Sequence, residues 1–394
     1  MFSLTHKVIC AINRYVMTVY LLEENTHETN TTLFTRSDNR CFISGGPALS
    51  AHAKTTTQHG NALATYNVKK YKTVKNQNLF VKRYAFQQSY TNIFQTSPTH
   101  ISSTKGKAVT FKSNVFLPVT YQRSADWGNP QSEVLTPNGN TLYELITTSS
   151  QSTTGRIVRY NLGALRHFGI TSTHMDALRR ATYDHSVGKL TATDKAILKN
   201  VTVGPLFNTG HGQSLARNPK NGQLWFIGKP GAVKSNVQQV STKTLKPSTK
   251  VNFTLKNTVP MGSNLTFDKH GKAYFFTYSN GGWAPKGAVK IYQGTISAKS
   301  VHFHLVMQGL RYAPGTKPQS MAYNAKRNRL YFVSDSSLAS VPVSQLGKLK
   351  ASQVEGTNLN GQREFEGLQF TSNGSGYLLV NKGAELMQTT HATF

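Results

Sequence analysis

The sequence predicts an all-β fold, a five-bladed β-propeller with a small helical insertion after the first blade and a flexible basic N-terminal arm. Three observations predict it. A strand–turn–strand unit recurs five times, its turns are built from Asn, Asp and Gly, and the units are spaced like propeller blades.

The units open at Asn129-Pro130-Gln131-Ser132, Gly212-Gln213-Ser214-Leu215, Gly262-Ser263-Asn264-Leu265, Pro318-Gln319-Ser320-Met321 and Phe365-Glu366-Gly367-Leu368. Each leads into an aromatic strand, with Tyr143, Trp225, Tyr274, Tyr331 or Tyr377 at the matching position. The turns between are Pro137-Asn138-Gly139-Asn140, Asn218-Pro219-Lys220-Asn221-Gly222, Asp268-Lys269-His270-Gly271, Asn324-Ala325-Lys326-Arg327-Asn328 and Ser372-Asn373-Gly374-Ser375. Asn, Asp and Gly tolerate the left-handed backbone of tight hairpin turns. Gln213, Ser263, Gln319 and Glu366 are separated by 50, 56 and 47 residues. The longer first interval, from Gln131 to Gln213, is accounted for by helix-like stretches around Met175–Ala181 and Thr193–Lys199. Closure into a ring is expected because it removes exposed sheet edges. Strand-like patches before Gln131 offer a strand to complete the last blade beside Ala384-Glu385-Leu386-Met387.

The segments before the repeats read differently. Residues 1–22 form a signal-like segment, with Lys7 ahead of an apolar stretch that Asn13 and Arg14 interrupt. Residues 23–75 are polar and poor in aliphatics, and read as a flexible arm. The propeller is assigned residues 76–394, with repeats from about residue 116.

Charge is the strongest bulk property. There are 45 Lys and Arg against 16 Asp and Glu, a formal net charge of +29. No acid occurs between Arg40 and Ala125, a stretch that carries Lys69, Lys70, Lys72, Lys75, Lys82 and Arg83. Such a surface attracts polyanions, and these six residues are the predicted polyanion-binding set. Hydrophobic residues make up 38% and mean hydropathy is −0.39, a water-soluble composition. The two cysteines, Cys10 and Cys41, exclude a disulfide framework and a cysteine-based zinc site.

Equivalent positions of propeller repeats converge at one mouth of the central channel. Gln131, Gln213, Ser263, Asn264, Gln319 and Glu366, with His211 beside Gln213, are therefore the predicted ligand-binding ring. Mutual satisfaction of these polar groups is the competing reading. The recurrent aromatics read as blade-to-blade packing rather than stacking platforms. His302 and His304 have the spacing of one strand face but no partner at metal-ligand spacing, so no metal is predicted. No phosphate loop, nucleophile elbow or HExxH motif is present, and no cofactor is expected.

Phe365-Glu366-Gly367-Leu368-Gln369-Phe370, Ile157-Val158-Arg159-Tyr160-Asn161-Leu162 and Glu385-Leu386 resemble the helveticin J family of large lactobacillus bacteriocins and related secreted proteins. The likeness runs from about Gly128 to Met387 and implies a propeller with a secreted, antibacterial role. The acid-free arm departs from that pattern. The resulting expectation is a monomeric, secreted or wall-associated protein of a Gram-positive bacterium. It would bind an anionic cell-wall polymer or glycan, with an anionic membrane surface as a further partner; nucleic acid is not the expected partner. An adhesion module without killing activity and a carbohydrate-active enzyme using Glu366 are the alternatives.

Overall fold

In the computed structural model, the backbone of residues 9–13 and 16–20 is described, together with residues 53–79, 94, 96–120, 127–256, 258–315, 317–360 and 363–391. The chain divides into two compact units, Met1–Gly46 and Pro47–Phe394. In the first, Ile9–Asn13 (β1) pairs antiparallel with Val16–Tyr20 (β2), within the stretch read as signal-like. The described residues of the second unit form β-structure apart from one α-helical insertion and short 3-10 turns.

Four strands precede the repeats: Lys54–Asn61 (β3), Lys72–Val74 (β4), His100–Gly106 (β5) and Thr110–Phe116 (β6). The first repeat contains Asn129–Leu135 (β7), Thr141–Thr147 (β8), Thr154–Asn161 (β9), Val201–Val203 (β10) and Phe207–Asn208 (β11). The second is Ala216–Arg217 (β12), Leu224–Ile227 (β13), Lys234–Val240 (β14) and Pro247–Thr254 (β15). The third is Thr266–Phe267 (β16), Ala273–Tyr278 (β17), Val289–Ile296 (β18) and Val301–Leu310 (β19). The fourth is Pro318–Asn324 (β20), Arg329–Ser334 (β21), Ser337–Pro342 (β22) and Glu355–Leu359 (β23). The fifth is Phe365–Phe370 (β24), Gly376–Val380 (β25) and Glu385–Thr389 (β26).

Each repeat is an antiparallel meander, and the first strands follow one another in a closed series. β7 touches β12, β12 touches β16, β16 touches β20, β20 packs on β24, and β24 returns to β7. This is a propeller-like arrangement. The first three repeats lie in separate five-stranded sheets, whereas the fourth and fifth share one nine-stranded sheet. The join is the β5–β6 hairpin: β5 pairs with β23 and β6 with β26, both antiparallel.

The turns explain why the meanders form. Gly139, Gly222, Gly271, Asn328 and Gly374 occupy equivalent turn positions, and all have positive φ, from 51° to 90°. Side-chain oxygens of Asn138, Asn218, Asp268, Asn324 and Asn373 accept backbone N–H groups two to four residues on, which fixes each turn locally. The second strand of each repeat is sandwiched between neighbours and reads as an apolar run; Leu224–Ile227 is buried throughout. Tyr143, Trp225, Tyr274, Tyr331 and Tyr377 are all buried, as packing residues should be. Phe276 and Phe332 meet edge to face at 5.2 Å between the third and fourth repeats. Outer strand β19 instead alternates buried and exposed positions over its first five residues.

Residues 53–75 do not behave as the sequence reading of an arm required. β3 adds parallel to β15, and β4 adds parallel to β19. Thr and Lys suffice there because an added edge strand is held by main-chain hydrogen bonds and leaves its side chains in water. The rest of that assignment, residues 23–52, lies outside the described residues.

The insertion between β9 and β10 holds a one-turn helix, Leu162–Leu165 (α1), followed by Ala177–Ser186 (α2) and Ala192–Leu198 (α3). Thr191 and Asp194 form a reciprocal capping box at the start of α3. From α2, fully buried Arg179 donates to the carbonyls of Leu117, Gly383 and Ala384 and lies 4.9 Å from the Phe116 ring centroid. The insertion is thereby latched onto the β6–β26 pairing. Among the described residues, no helix is long and apolar enough to cross a membrane.

Candidate functional site

The first strands deliver polar residues from four repeats to one place. Nε2 of Gln213, just before β12, donates to Oε1 of Gln319 on β20. These belong to the second and fourth repeats, so the bond skips the third and spans the interior of the ring. Gln319 Nε2 then donates to Asp335 Oδ1 at 3.3 Å, and the same oxygen accepts the Phe365 backbone N–H at 2.9 Å. In the fifth repeat, Asn381 Nδ2 donates to Glu366 Oε1 at 3.0 Å, to Glu364 Oε2 at 3.4 Å and to Asn129 Oδ1 of the first repeat at 2.7 Å.

Burial disfavours charge on the carboxyls of this centre. Burial pushes Asp335 up to about 8, with neighbouring Glu364 adding to the rise and the Phe365 N–H opposing it. Burial, again with Glu364, drives Glu366 well above the carboxylate range. Burial lowers His211, while Glu364 raises and Lys317 lowers it. At neutral pH Asp335 is therefore mostly protonated, and burial favours the neutral form of Glu366. Protonated carboxyls and amides recognise hydroxyls, carbonyls and water; cation ligation requires the deprotonated form.

The predicted ring is thus assembled only in part. Gln213, Gln319 and Glu366 join the network, and His211 senses it electrostatically. Gln213, Ser263 and Asn264 precede the short strands β12 and β16 instead of lying on them. Asn264 is consumed locally, accepting from Phe276 N–H at 2.8 Å and donating to Phe276 O at 3.2 Å, a side-chain substitute for a strand partner. Gln131 donates to its neighbour Pro130 O at 2.9 Å. Ser263 makes no recorded side-chain hydrogen bond.

Asp335, Asn381 and Asn129 were missed. Asp335 and Asn381 each stand four residues after the aromatic of the second strand, Tyr331 or Tyr377, at the start of the following turn. That shared offset was the available signal. Gln319 links Gln213 to Asp335, so Gln319→Ala should lower stability by about 1–3 kcal/mol, the cost of stranding buried polar partners. Ser263→Ala should stay within about 0.5 kcal/mol. Thermal melts of the two variants compare them directly, and equal melting temperatures would dissolve the network as a structural unit.

Of the polyanion-binding set, Lys69, Lys70, Lys72 and Lys75 are exposed on and around β4. Lys82 and Arg83 lie outside the described residues. His302 and His304 are exposed on β19.

No protein-family model matches the chain. No curated protein matches it. Solved structures that resemble it include a glucose dehydrogenase at 11% identity, covering 70% of this chain and 100% of that one, with a TM-score of 0.36. A second glucose dehydrogenase shares 10% identity over 76% of this chain and 99% of its own, with a TM-score of 0.36. A streptogramin B lyase shares 12% identity over 77% and 95%, with a TM-score of 0.34.

Proposed function

We propose that the protein is a five-bladed propeller that binds an anionic envelope polymer or glycan through its surface. In this reading β20–β23 with β5 and β24–β26 with β6 are two blades, joined by the β5–β6 hairpin into one sheet.

The distribution of acids carries the functional reading. Of the described carboxylates, Glu133, Glu144, Asp176, Asp194, Asp268, Asp335, Glu366 and Glu385 are buried. Asp184, Glu355 and Glu364 are half-buried, and none is exposed. Lysines, by contrast, stand in water around every repeat: Lys112 on β6, Lys195 on α3 of the insertion, and Lys220, Lys269 and Lys326 in the turns of the second, third and fourth repeats. The described acids thus face the interior, and the outward face of the described residues is weighted to lysine and arginine. A surface of one sign attracts polymers of the other, at rates and affinities that fall with salt.

Binding to isolated, teichoic-acid-bearing walls should be strong at low salt. It should weaken steeply between about 0.15 M and 1 M, where the screening length shrinks from about 8 Å to 3 Å. Changing Lys69, Lys70, Lys72 and Lys75 together to Gln should flatten that dependence, and binding indifferent to salt would remove the proposal. A bacteriocin-like role, implied by the family resemblance, adds killing of sensitive cells to wall capture. Capture without killing is the result that favours adhesion alone. The enzymatic alternative has less support, because Glu366 is only 1% exposed and hydrogen-bonded to Asn381.

A further inference from the structure

A cleft of about 580 Å³ opens between the first and second repeats, within the size range of roughly 300–1,000 Å³ typical of small-molecule sites. Its wall is made by β14 and β15 of the second repeat and by the ends of β11 and β13. Asn236 and Gln238 alternate along β14, so both side chains face one side. Gln238 Nε2 donates to Asn236 Oδ1 at 3.1 Å, and both residues are more than nine-tenths buried. This arrangement leaves the Asn236 amide N–H₂ as donor and the Gln238 carbonyl as acceptor, neither with a recorded protein partner.

The pair fits only because Gly228 backs it. A Cβ at Gly228 would come within 2.3 Å of Asn236 Oδ1 and 2.4 Å of Gln238 Nε2. Lys250 sits directly across the ladder from Gln238, and Lys229, next to Gly228, also lines the cleft. Among the described residues neither lysine has a carboxylate partner, and the lining contains no acid. Phe207, braced by Phe226 at 5.7 Å, supplies an apolar surface. Lys229 stands four residues after Trp225, the same offset as Asp335 and Asn381 from their tyrosines. In this repeat the position used elsewhere for internal bonding lines the cleft.

We propose that this cleft is a stoichiometric site for a saccharide bearing an anionic substituent. The amide donor and acceptor would read ring hydroxyls, the two lysines would hold a phosphate, sulfate or carboxylate, and Phe207 would face the apolar side of the sugar. The proposal deepens the polyanion reading, since a repeating anionic glycan would present such units, but it stands on different residues from Lys69–Lys75.

The test is calorimetric titration of the full chain with glucose 6-phosphate, glucose 6-sulfate, glucuronate and glucose. Saturable one-to-one binding of at least one anionic sugar, and weaker binding of glucose, is expected. Lys250→Gln, at a half-exposed position, should weaken it about tenfold, the scale of one charge-assisted hydrogen bond. Asn236→Ala removes no charge and should weaken it comparably, while leaving salt-dependent wall binding intact. The quadruple Lys69/Lys70/Lys72/Lys75 change should do the reverse. Loss of wall binding alone would sink the surface reading and leave the cleft standing. Absence of saturable binding by all three anionic sugars, or binding unaffected by both Lys250→Gln and Asn236→Ala in folded protein, overturns the cleft proposal.

Discussion

Replacing Glu385 by alanine should destabilise the protein by about 3–5 kcal/mol, the range for removing one partner of a buried ion pair. Glu385 on β26 is fully buried, and its Oε1 accepts from Arg363 Nη1 at 3.1 Å. Its other oxygen accepts from Ser113 at 2.6 Å and from Thr99 at 3.0 Å. Burial alone raises Glu385 and lowers Arg363. The three donors converging on the carboxylate, together with the refusal of guanidinium to give up its proton at ordinary pH, hold the pair ionised. Arg363 also donates to the carbonyls of Asn381 and Gly383, so it is fixed in place and cannot follow a lost partner into water. Glu385→Ala would leave that charge buried in the junction where β26 meets β6. Denaturant unfolding measures the effect, and a loss below about 1 kcal/mol, the level of a surface pair, would refute this account. Glu385→Gln keeps the shape and two acceptor contacts, so it should fall between wild type and Glu385→Ala.

The second large effect is a pH dependence. Glu133 on β7 and Glu144 on β8 are directly opposite one another and fully buried. Burial first, then the Glu144 charge, pushes Glu133 well above its ordinary range, with the Leu379 backbone amide pulling part of the way back. Burial raises Glu144 to about 7, and the Tyr160 hydroxyl, donating at 2.8 Å, restrains the rise. A carboxyl raised in the folded state binds its proton more tightly there than in the unfolded chain. Its contribution is therefore fully present below pH 4.5 and is lost as pH rises through about 7. At about 1.4 kcal/mol per unit, Glu144 alone accounts for about 3 kcal/mol. Glu144→Gln keeps the acceptor for Tyr160 and removes the titration. Between pH 4.5 and 7.5, wild type should lose about 3 kcal/mol relative to that variant. The difference cancels titrating groups that do not interact with Glu144; Glu133, which the Glu144 charge raises, adds to the loss in wild type. Parallel profiles for the two proteins would contradict the assignment.

Much of this architecture is written in local chemistry. Five turns predicted from Asn, Asp and Gly all adopt left-handed backbone at the equivalent position, because few other residues take it without strain. The helical insertion was legible from its length and spacing, and a strand before the repeats does complete the last sheet, β6 on β26. The unread parts share a cause, which is that their information lies in a distant partner. β3 presents Lys54-Thr55-Thr56-Thr57 with no apolar alternation, and only the open edge of β15 makes it a strand. Glu133 and Glu144 sit within apolar strands, where sequence does not say which face is dry. Gly367 leaves the space that the Glu133 carboxyl occupies, since a Cβ there would lie 3.0 Å from its Cδ. The ring was read from repeat-opening positions alone, whereas five of the six hydrogen bonds described for the network involve Asp335 or Asn381, in the turns after the second strands of their repeats.

The β5–β6 hairpin has a consequence for how the chain is made. A ribosome releases residues in order, so His100–Phe116 emerge before their partners on β23 and β26 exist. β6 must wait for the last strand of the final repeat, and β3 and β4 wait for β15 and β19. Until then they are unpaired segments with open main-chain groups, kept from pairing with other chains chiefly by their lysines and threonines. Closure of this ring consequently waits for the synthesis of β26 and is an event of long sequence separation, the kind that folds slowly. A nascent chain stalled before Glu385 would expose both β6 and β25 as edges. Production of this protein should thus be sensitive to C-terminal truncation and to crowding of nascent chains, even where the finished fold is stable.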